Sequence, residues 1–303
     1  MEETAAAPPA KSDGSMTSRD ADHAAKSGVI QVLTTVAQAL AGVTQVLLAR
    51  LFGAAVFGSY QTAAAILEMI TRAGTGGADK SMLRYVAAYR ARGDADLVRS
   101  ALGTGLRLAF VTAAVLATAL AVCAPLVAHI THEPSLAVAL PLMAPAAMFT
   151  GCMFVLIQAS LAAKVTRANF IVRGLAEPML LLCGGLLAAL VGRTVAHLAV
   201  AQVLASAATL ILAIVVVGRV FGRGELTRAL RAPRLPGFTA TSLPIGAAEL
   251  TNAILQRADV VLLTGFVGPS GAAVYVAVIF IFDRERVQML LNFVGQSISA
   301  RRG

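Results

Sequence analysis

The chain has 303 residues, of which 57% are hydrophobic and only 14% charged, and its mean hydropathy is +0.77. A soluble domain keeps roughly a quarter of its residues charged, so this composition excludes a large soluble domain and indicates a membrane protein. The net charge of +9 comes from short basic clusters between apolar segments, with no basic patch interleaved with aromatic residues. We therefore expect loops that lie against an anionic membrane surface and no nucleic-acid partner.

The N-terminal residues 1–27 are rich in Ala, Pro, Ser, Asp and Lys and contain no apolar stretch. Such a composition predicts a disordered tail. The tail lacks the order of a secretory signal peptide, in which a basic region precedes a short apolar core and a cleavage site. The first apolar segment is too long for such a core, so we expect it to stay in the membrane.

Eight apolar segments follow the tail, joined alternately by short turns and by longer basic connections. A membrane-spanning helix needs about 20 apolar residues, and we interpret each segment as a span, although the eighth is short. The sequence therefore predicts an all-α, polytopic transmembrane helix bundle of about eight helices. The segments are Val29–Ala49, Ala54–Thr71, Leu102–Ala128, Leu136–Ala163, Leu175–Val191, Val195–Val217, Phe238–Val267 and Gly268–Phe282.

The basic connections predict the orientation of the bundle. Lys and Arg collect in the loops after the second, fourth and sixth segments, whereas the opposite loops hold only Arg50 and Arg193. By the positive-inside rule, the N-terminus, the basic loops and the C-terminus are cytoplasmic. The residues assigned to the basic loops are Lys80, Arg84, Arg90, Arg92, Arg99, Lys164, Arg167, Arg173, Arg219, Arg223, Arg228, Arg231 and Arg234.

A short internal repeat links the first and last pairs of segments. Gly53 and Tyr60 flank the turn after the first segment, and Gly268 and Tyr275 flank the turn after the seventh. Because six segments separate the two copies, both have the same orientation, as in parallel repeats related by an axis along the membrane normal. Coincidence in a chain rich in Gly and Ala is the alternative.

The repeat predicts the domain organisation. A first six-helix bundle is expected over 28–235 and the first helix pair of a second bundle over 236–282. The C-terminal tail over 283–303 is left unassigned. Neither this tail nor the disordered N-terminal tail over 1–27 contains a predicted membrane span.

An enzymatic function is not expected. A polyprenyl transferase needs paired aspartate motifs that hold Mg²⁺ on a diphosphate, and the sequence has none. It has no P-loop for ATP, and its predicted outer loops are too short for a catalytic domain. Cys123, Cys152 and Cys183 read as small buried hydrophobes without metal-ligand spacing, and His129 and His132 lack a distant third ligand. We therefore expect no metal and no cofactor.

Polar residues inside the apolar segments mark a candidate cavity. The first segment carries Gln31, Gln38 and Gln45 at a spacing of seven residues, close to two helical turns, so they form one stripe. Polar groups at membrane depth face a cavity or bond to each other between helices, and both alternatives stay open. Arg257 is a candidate ion-pair partner on the seventh segment, where the matching stripe is Glu249, Asn252, Gln256 and Asp259.

Four further polar or kinking positions occur in the other segments. Glu68 and Arg72 are four residues apart, which favours a structural ion pair. Arg107 could contact a pyrophosphate, for which arginine is well suited, or extend to the membrane interface. The dipeptide Glu177-Pro178 predicts either a kink or a tolerated proline in the first helical turn.

Several motifs resemble the polysaccharide transporter family of the multidrug, oligosaccharidyl-lipid and polysaccharide flippase superfamily. The opening helix pair carries Leu47-Leu-Ala-Arg-Leu-Phe-Gly53 and Phe57-Gly-Ser-Tyr60, and the first cytoplasmic loop carries Leu83-Arg-Tyr-Val-Ala-Ala-Tyr-Arg-Ala-Arg-Gly-Asp94. The seventh segment contributes Ser242-Leu-Pro244 and Arg257-Ala-Asp-Val-Val-Leu-Leu263.

The resemblance implies translocation of a lipid-linked oligosaccharide or polysaccharide precursor, such as an O-antigen unit of lipopolysaccharide, across the bacterial inner membrane. The partner would be a polyprenyl-pyrophosphate lipid whose headgroup enters a polar cavity between two six-helix halves while its tail stays in the bilayer. The candidate cavity residues are Gln31, Gln38, Gln45, Arg107, Glu249, Asn252, Gln256 and Asp259.

The resemblance covers about Val29 to Val278, and the chain departs from the family after Ile279. Family members usually have two complete halves, so we expect either a truncated product or completion by a second polypeptide or a second copy. Two alternative functions follow: a multidrug or cation antiporter of the same superfamily, or a membrane subunit that does not transport. The low aromatic content and the absence of Trp modestly favour a sugar substrate over a cation.

In a version of the protein that flips its substrate, we expect Glu249→Gln combined with Asp259→Asn to lower flipping. The pair removes both carboxylates of the seventh segment from the predicted cavity. Surface glycan in a complemented bacterium lacking its own flippase measures the effect. Unchanged flipping would make the assignment of these residues to the cavity wrong.

Overall fold

The fold is an all-α helix bundle, as the sequence predicts. The structure, a computed structural model, describes residues 36–222 and 224–268, with the backbone alone over 256–267. No strand occurs in these ranges. Their helices are α1 (Val36–Phe52), α2 (Ala54–Gly74), α3 (Ala78–Ala91), α4 (Ala95–Ile130), α5 (Leu136–Ala162), α6 (Thr166–Val191), α7 (Val195–Phe221), α8 (Glu225–Arg231) and α9 (Phe238–Val267).

Four of the described helices, α4, α5, α6 and α7, are long and apolar enough to cross a bilayer. The shorter α1 is also apolar, and α9 has the bounds predicted for the seventh segment. The second predicted span, α2, carries Gln61 and Glu68 and packs against α4, α5, α7 and α9. Because α2 is enclosed by other helices, it can carry polar groups that a lipid-facing helix could not. The eighth predicted segment lies outside the described residues beyond Gly268.

The predicted basic loops contain helices of their own. Between α2 and α4 lies α3, whose buried face includes Met82 and Val86, and between α7 and α9 lies the short α8. Four assignments to loops are wrong, because the residues lie within long helices: Arg99 in α4, Arg167 and Arg173 in α6, and Arg219 in α7. Of these, Arg173 lies furthest into its helix, since α6 begins at Thr166. The predicted span began too late in the chain because it was located from apolar residues, and the first turns of this helix are polar.

Two apolar clusters form the core. The first includes the fully buried Leu140 and Leu198, and the second, at the end that contains α3 and α8, includes Met82 and Phe238. Small residues let the helices approach closely: a Cβ at Gly74 would lie 3.1 Å from the Cα of Ala113. This use of small residues is typical of helix packing in membranes.

The cysteines divide between the core and the surface of the bundle. Cys152 is buried, as predicted, whereas Cys123 and Cys183 are exposed. The prediction of burial was wrong for these two, because α4 and α6 turn much of their apolar surface outward, and an apolar position in a membrane helix can face lipid as well as core.

A π-helical stretch interrupts α6 over Phe170–Ala176, directly before Glu177 and Pro178. Pro178 has no backbone N–H, so the regular pattern of hydrogen bonds cannot continue through this turn. Single π-helical turns occur frequently at functional sites. The predicted irregularity at Pro178 therefore takes the form of a π-helical turn on its N-terminal side.

The two copies of the predicted repeat share one backbone feature. Gly53 has φ +82° and follows α1, and Gly268 has φ +84° and follows α9. A positive φ favours glycine, so this residue is needed at both helix ends. Tyr275 and the tails over 1–27 and 283–303 lie outside the described residues. The division into two bundles stays a prediction.

The N-terminal end of α9 packs against α3 and the turn before it. Ser242 Oγ donates a hydrogen bond of 2.8 Å to Ser81 Oγ, and Tyr85 OH donates one of 3.3 Å to Thr241 Oγ1. At Gly77, which has φ +71°, a Cβ would lie far inside contact distance of the Ser242 carbonyl oxygen. Close approach of backbones at this point therefore requires glycine.

The substitution Gly77→Ala is expected to destabilise the bundle more than Gly93→Ala. Both glycines have a positive φ, but a Cβ at Gly93 would meet nothing within 4 Å. Gly93→Ala therefore adds only backbone strain of about 1–2 kcal/mol, whereas Gly77→Ala also forces α9 away from the turn. We expect the apparent Tm to fall about 5 °C further for Gly77→Ala.

Because the chain has no Trp, this comparison is best made by following the monodisperse fraction of fluorescent-protein fusions in detergent after heating. Equal losses for the two variants would contradict the close approach between α9 and the turn.

Candidate functional site

A cavity of about 410 Å³ lies where α1, α2, α5, α6 and α7 meet. More than half of the residues that line it are polar or charged. This polar lining comes from all five helices and consists of Thr44, Gln45, Tyr60, Gln61, Glu68, Thr71, Thr150, Arg173, Glu177, Gln202 and Ser206.

Side-chain amides tie three of the lining helices together. Gln61 Nε2 on α2 donates to Gln45 Oε1 on α1 over 2.8 Å. Tyr60 OH, also on α2, donates to Gln202 Oε1 on α7 over 2.7 Å, and Gln202 Nε2 donates to Ser206 Oγ over 3.3 Å. Tyr60 is 1% exposed, so its hydroxyl needs this partner. The network fixes the positions of the amides around the cavity.

A cluster of four charges occupies one side of the cavity. Arg72 Nη2 lies 3.5 Å from Glu68 Oε1, which confirms the predicted ion pair within α2. Arg173 and Glu177 come from α6 and line the same cavity as Glu68. The four groups interact electrostatically across the two helices. Their formal charges cancel, which makes the cluster tolerable at membrane depth.

Phe154 of α5 joins the two arginines of this cluster. The Cζ atoms of Arg72 and Arg173 lie 5.0 Å and 4.6 Å from the centroid of its ring. Both distances are within the range of a cation–π interaction. Three helices therefore contribute to one arrangement of charges and aromatic ring.

The predicted stripe on α1 reaches the cavity at one position. Gln45 lines it and bonds to Gln61. Gln38 is exposed and does not belong to the lining, and Gln31 lies outside the described residues.

The predicted stripe on α9 lies elsewhere in the part that the structure describes. Glu249 Oε1 is 3.5 Å from Lys80 Nζ on α3 and does not line the cavity. Asn252 is exposed. The backbones of Gln256 and Asp259 belong to α9, and their side chains, like that of the suggested partner Arg257, lie outside the description. The role of this stripe in binding stays a prediction.

Arg107 fastens the connection between α8 and α9 to α4. Its Nε donates to the Gly103 carbonyl over 3.0 Å and its Nη2 to the Ala232 carbonyl over 2.9 Å. The Leu235 backbone N–H donates to Thr104 Oγ1 over 2.9 Å in the same region. These contacts give Arg107 a structural role that the sequence did not predict, and its contact with pyrophosphate stays a prediction.

Two ionic contacts hold α8 itself. Arg99 on α4 bonds to Glu225, which also accepts a hydrogen bond of 2.8 Å from Arg228 Nη1. The hydrogen bond from Arg99, more than any other contact, lowers the pKa of the Glu225 carboxyl below its ordinary value. We call the contact of Arg99 with α8 and the contact of Arg107 with the segment between α8 and α9 the linker clamp.

The sequence interpretation missed most of the cavity. Arg173 was grouped with the nearby basic residues Lys164 and Arg167, which follow α5. Gln61 and Gln202 are isolated polar residues in segments that are otherwise apolar. Applied to every segment rather than to the first and seventh, the search for polar residues at membrane depth would have found both.

The fold and the cavity define a multi-pass helical membrane protein with a polar interior. The chain matches the model of a family described as polysaccharide biosynthesis protein over residues 24–296, and it belongs to that family. The match continues beyond Ile279, so the expected departure from the family at that point is wrong. Neither the curated proteins nor the solved structures gave a match.

The linker clamp predicts a pH-dependent stability difference between the wild type and Glu225→Gln. Because the pKa of Glu225 is lowered in the folded state, its contact stabilises the fold above the ordinary glutamate pKa of about 4.3 and is lost as the pH falls through the lower, folded pKa. Wild type should therefore unfold at a modestly higher temperature than Glu225→Gln near neutral pH, and the difference should disappear once the pH is below the folded-state pKa of Glu225.

Thermal unfolding in detergent over a series of pH values, from neutral into the acid range, measures this difference. Asp96→Asn serves as the control, since Asp96 also contacts Arg99 but its side chain is 88% exposed, and an exposed pair contributes little. A difference for Glu225→Gln that stays the same at low pH would contradict the assignment.

Proposed function

We propose that the protein flips a lipid-linked oligosaccharide or polysaccharide precursor across the bacterial inner membrane. Membership in the polysaccharide biosynthesis family supports a role in building such polymers. The observation that carries the proposal is a polar cavity, with two arginines beside it, inside a bundle of apolar helices. A sugar headgroup needs such a path because lipid offers it no hydrogen bonds.

The amides of the cavity suit the neutral part of the substrate. Gln45, Gln61 and Gln202 present both donors and acceptors, which match the hydroxyl groups of a sugar. A volume of about 410 Å³ lies within the usual range of roughly 300–1,000 Å³ for small-molecule sites. A cavity of this size would hold only part of a long headgroup at one time, and we propose that this part is the sugar nearest the lipid.

The arginines suit the diphosphate that joins sugar to lipid. A guanidinium group binds phosphate oxygens through two parallel N–H donors and stays charged at membrane depth. Arg173 lines the cavity, and Arg72 packs against the same Phe154 ring as Arg173. Glu68 and Glu177 balance these charges while the site is empty. In this proposal Arg173 takes the role that the sequence suggested for Arg107.

The predicted topology places this site near the leaflet where such lipids are made. With the basic connections in the cytoplasm, Arg173 lies seven residues after the cytoplasmic start of α6, a rise of about 10 Å. A diphosphate at the inner membrane surface could therefore reach Arg173 while its prenyl tail remains in the bilayer. Motion of the two halves would then expose the headgroup to the opposite side.

Glycan complementation tests the proposal. The 303-residue chain is produced in a bacterium whose polysaccharide flippase is deleted, and surface glycan is measured. We expect the wild type to restore glycan and Arg173→Gln to lower its rate of appearance about 10- to 100-fold, through loss of a charge-assisted hydrogen bond worth about 1.5–3 kcal/mol.

Arg193→Gln is the matched control, because Arg193 is exposed in the turn between α6 and α7 and should leave glycan unchanged. Immunoblots of membranes ensure that the variants are present in equal amounts. If the wild type reaches the membrane without restoring glycan, flipping by this chain is contradicted. If Arg173→Gln matches the wild type, the cavity is not the substrate path.

A further inference from the structure

Phe154 belongs to the apolar core, but packing in the core does not explain why two arginines lie against its ring. It belongs to α5, is 8% exposed, and packs within the second apolar cluster. Its ring nevertheless carries two guanidinium groups from two other helices, Arg72 of α2 and Arg173 of α6. Two like charges against one ring repel each other, and the negative potential of the ring faces offsets that repulsion.

An aromatic ring holds an arginine differently from a carboxylate. A carboxylate takes up the N–H donors of the guanidinium group, whereas a ring attracts the cation through its face and leaves the donors at the edges unused. Within the described part of the chain, Arg173 makes no hydrogen bond through its side chain, and its side chain is exposed to the cavity. Arg72 has its carboxylate partner at 3.5 Å from Nη2.

We propose that Phe154 is a positioning residue that holds Arg72 and Arg173 with their N–H edges available to bind the diphosphate of a lipid-linked sugar. This inference rests on the proposed function, since it assigns the diphosphate to the cavity described above. Phe154 acts through the two arginines, and the proposal requires no contact between its ring and the ligand. Its contribution is to fix two cations near one point before the anion arrives, which lowers the entropic cost of binding.

Fluorination of the Phe154 ring separates this role from packing. Each added fluorine withdraws charge from the ring face and weakens a cation–π interaction, while the size of the side chain changes little. Phenylalanine with one, two or three fluorines is introduced at position 154 of the full chain by nonsense suppression, and the protein is placed in lipid nanodiscs. The Kd is measured for inorganic pyrophosphate and for geranylgeranyl pyrophosphate, as the free and lipid-linked forms of the same anion.

We expect the logarithm of the Kd to rise steadily with the number of fluorines, to about tenfold for the trifluorinated ring. The same series at Phe110, which is 50% exposed on α4, is the control and should give a constant Kd. Tighter binding of geranylgeranyl pyrophosphate than of inorganic pyrophosphate would identify the lipid-linked form as the ligand. Equal binding of the two would identify the free anion and would overturn the assignment to a lipid-linked sugar.

Three results would overturn the role of Phe154: a Kd independent of fluorination, a Kd that falls with it, or no binding of either pyrophosphate by the wild type. These results are distinct from failure of the proposed function, because flipping itself is tested by glycan complementation and not by pyrophosphate binding. A chain that restores glycan without a fluorination effect retains its function and loses this inference. A chain that binds pyrophosphate with the expected gradient but restores no glycan retains the anion site and loses the flipping activity.

Discussion

Polar and charged groups inside the membrane need partners from the protein, because lipid offers none, and this constraint organises the whole bundle. The hydrogen bond from Tyr60 to Gln202 ties α2 to α7, and that from Gln61 to Gln45 ties α2 to α1. The charges on α2 and α6 balance each other around Phe154. These helices are therefore joined around a polar interior, with an apolar cluster toward each end of the bundle.

Because α5 is central in the bundle, side chains from several neighbouring helices can contact it. It packs against α2, α3, α4 and α7, and it is the most enclosed of the four clearly apolar helices. A ring on such a helix can be reached from two different neighbours, as Phe154 is from α2 and α6. A helix facing lipid over most of its surface, such as α6, can supply charges to the cavity only along its inner stripe.

The sequence predicted the helices better than the site, for a physical reason. Hydropathy is a local property, so Phe238–Val267 was predicted with its observed bounds, and the all-α bundle followed from the same signal. The family followed from short sequence motifs, which are local as well. Which polar residues meet depends on helix rotation and on contacts between segments far apart in the chain. The sequence predicted Gln45 as a cavity residue from its place in a polar stripe. It did not predict the ion pair of Glu249 with Lys80 or the position of Arg173 in the cavity, because both depend on contacts between distant segments. A polar stripe specifies a face and leaves its neighbour unspecified.

The attachment of α9 at its N-terminal end allows this helix to act as a lever. Ser242 and the close approach at Gly77 hold one end of α9 against α3 and the turn before it, and the linker clamp holds the connection that leads into α9. A helix of 30 residues is about 45 Å long, so a tilt of about 10° around the held end moves the other end by about 8 Å. A small rigid tilt at the held end thus becomes a large displacement at the opposite end, and such a tilt would open the protein most on the side away from the clamp.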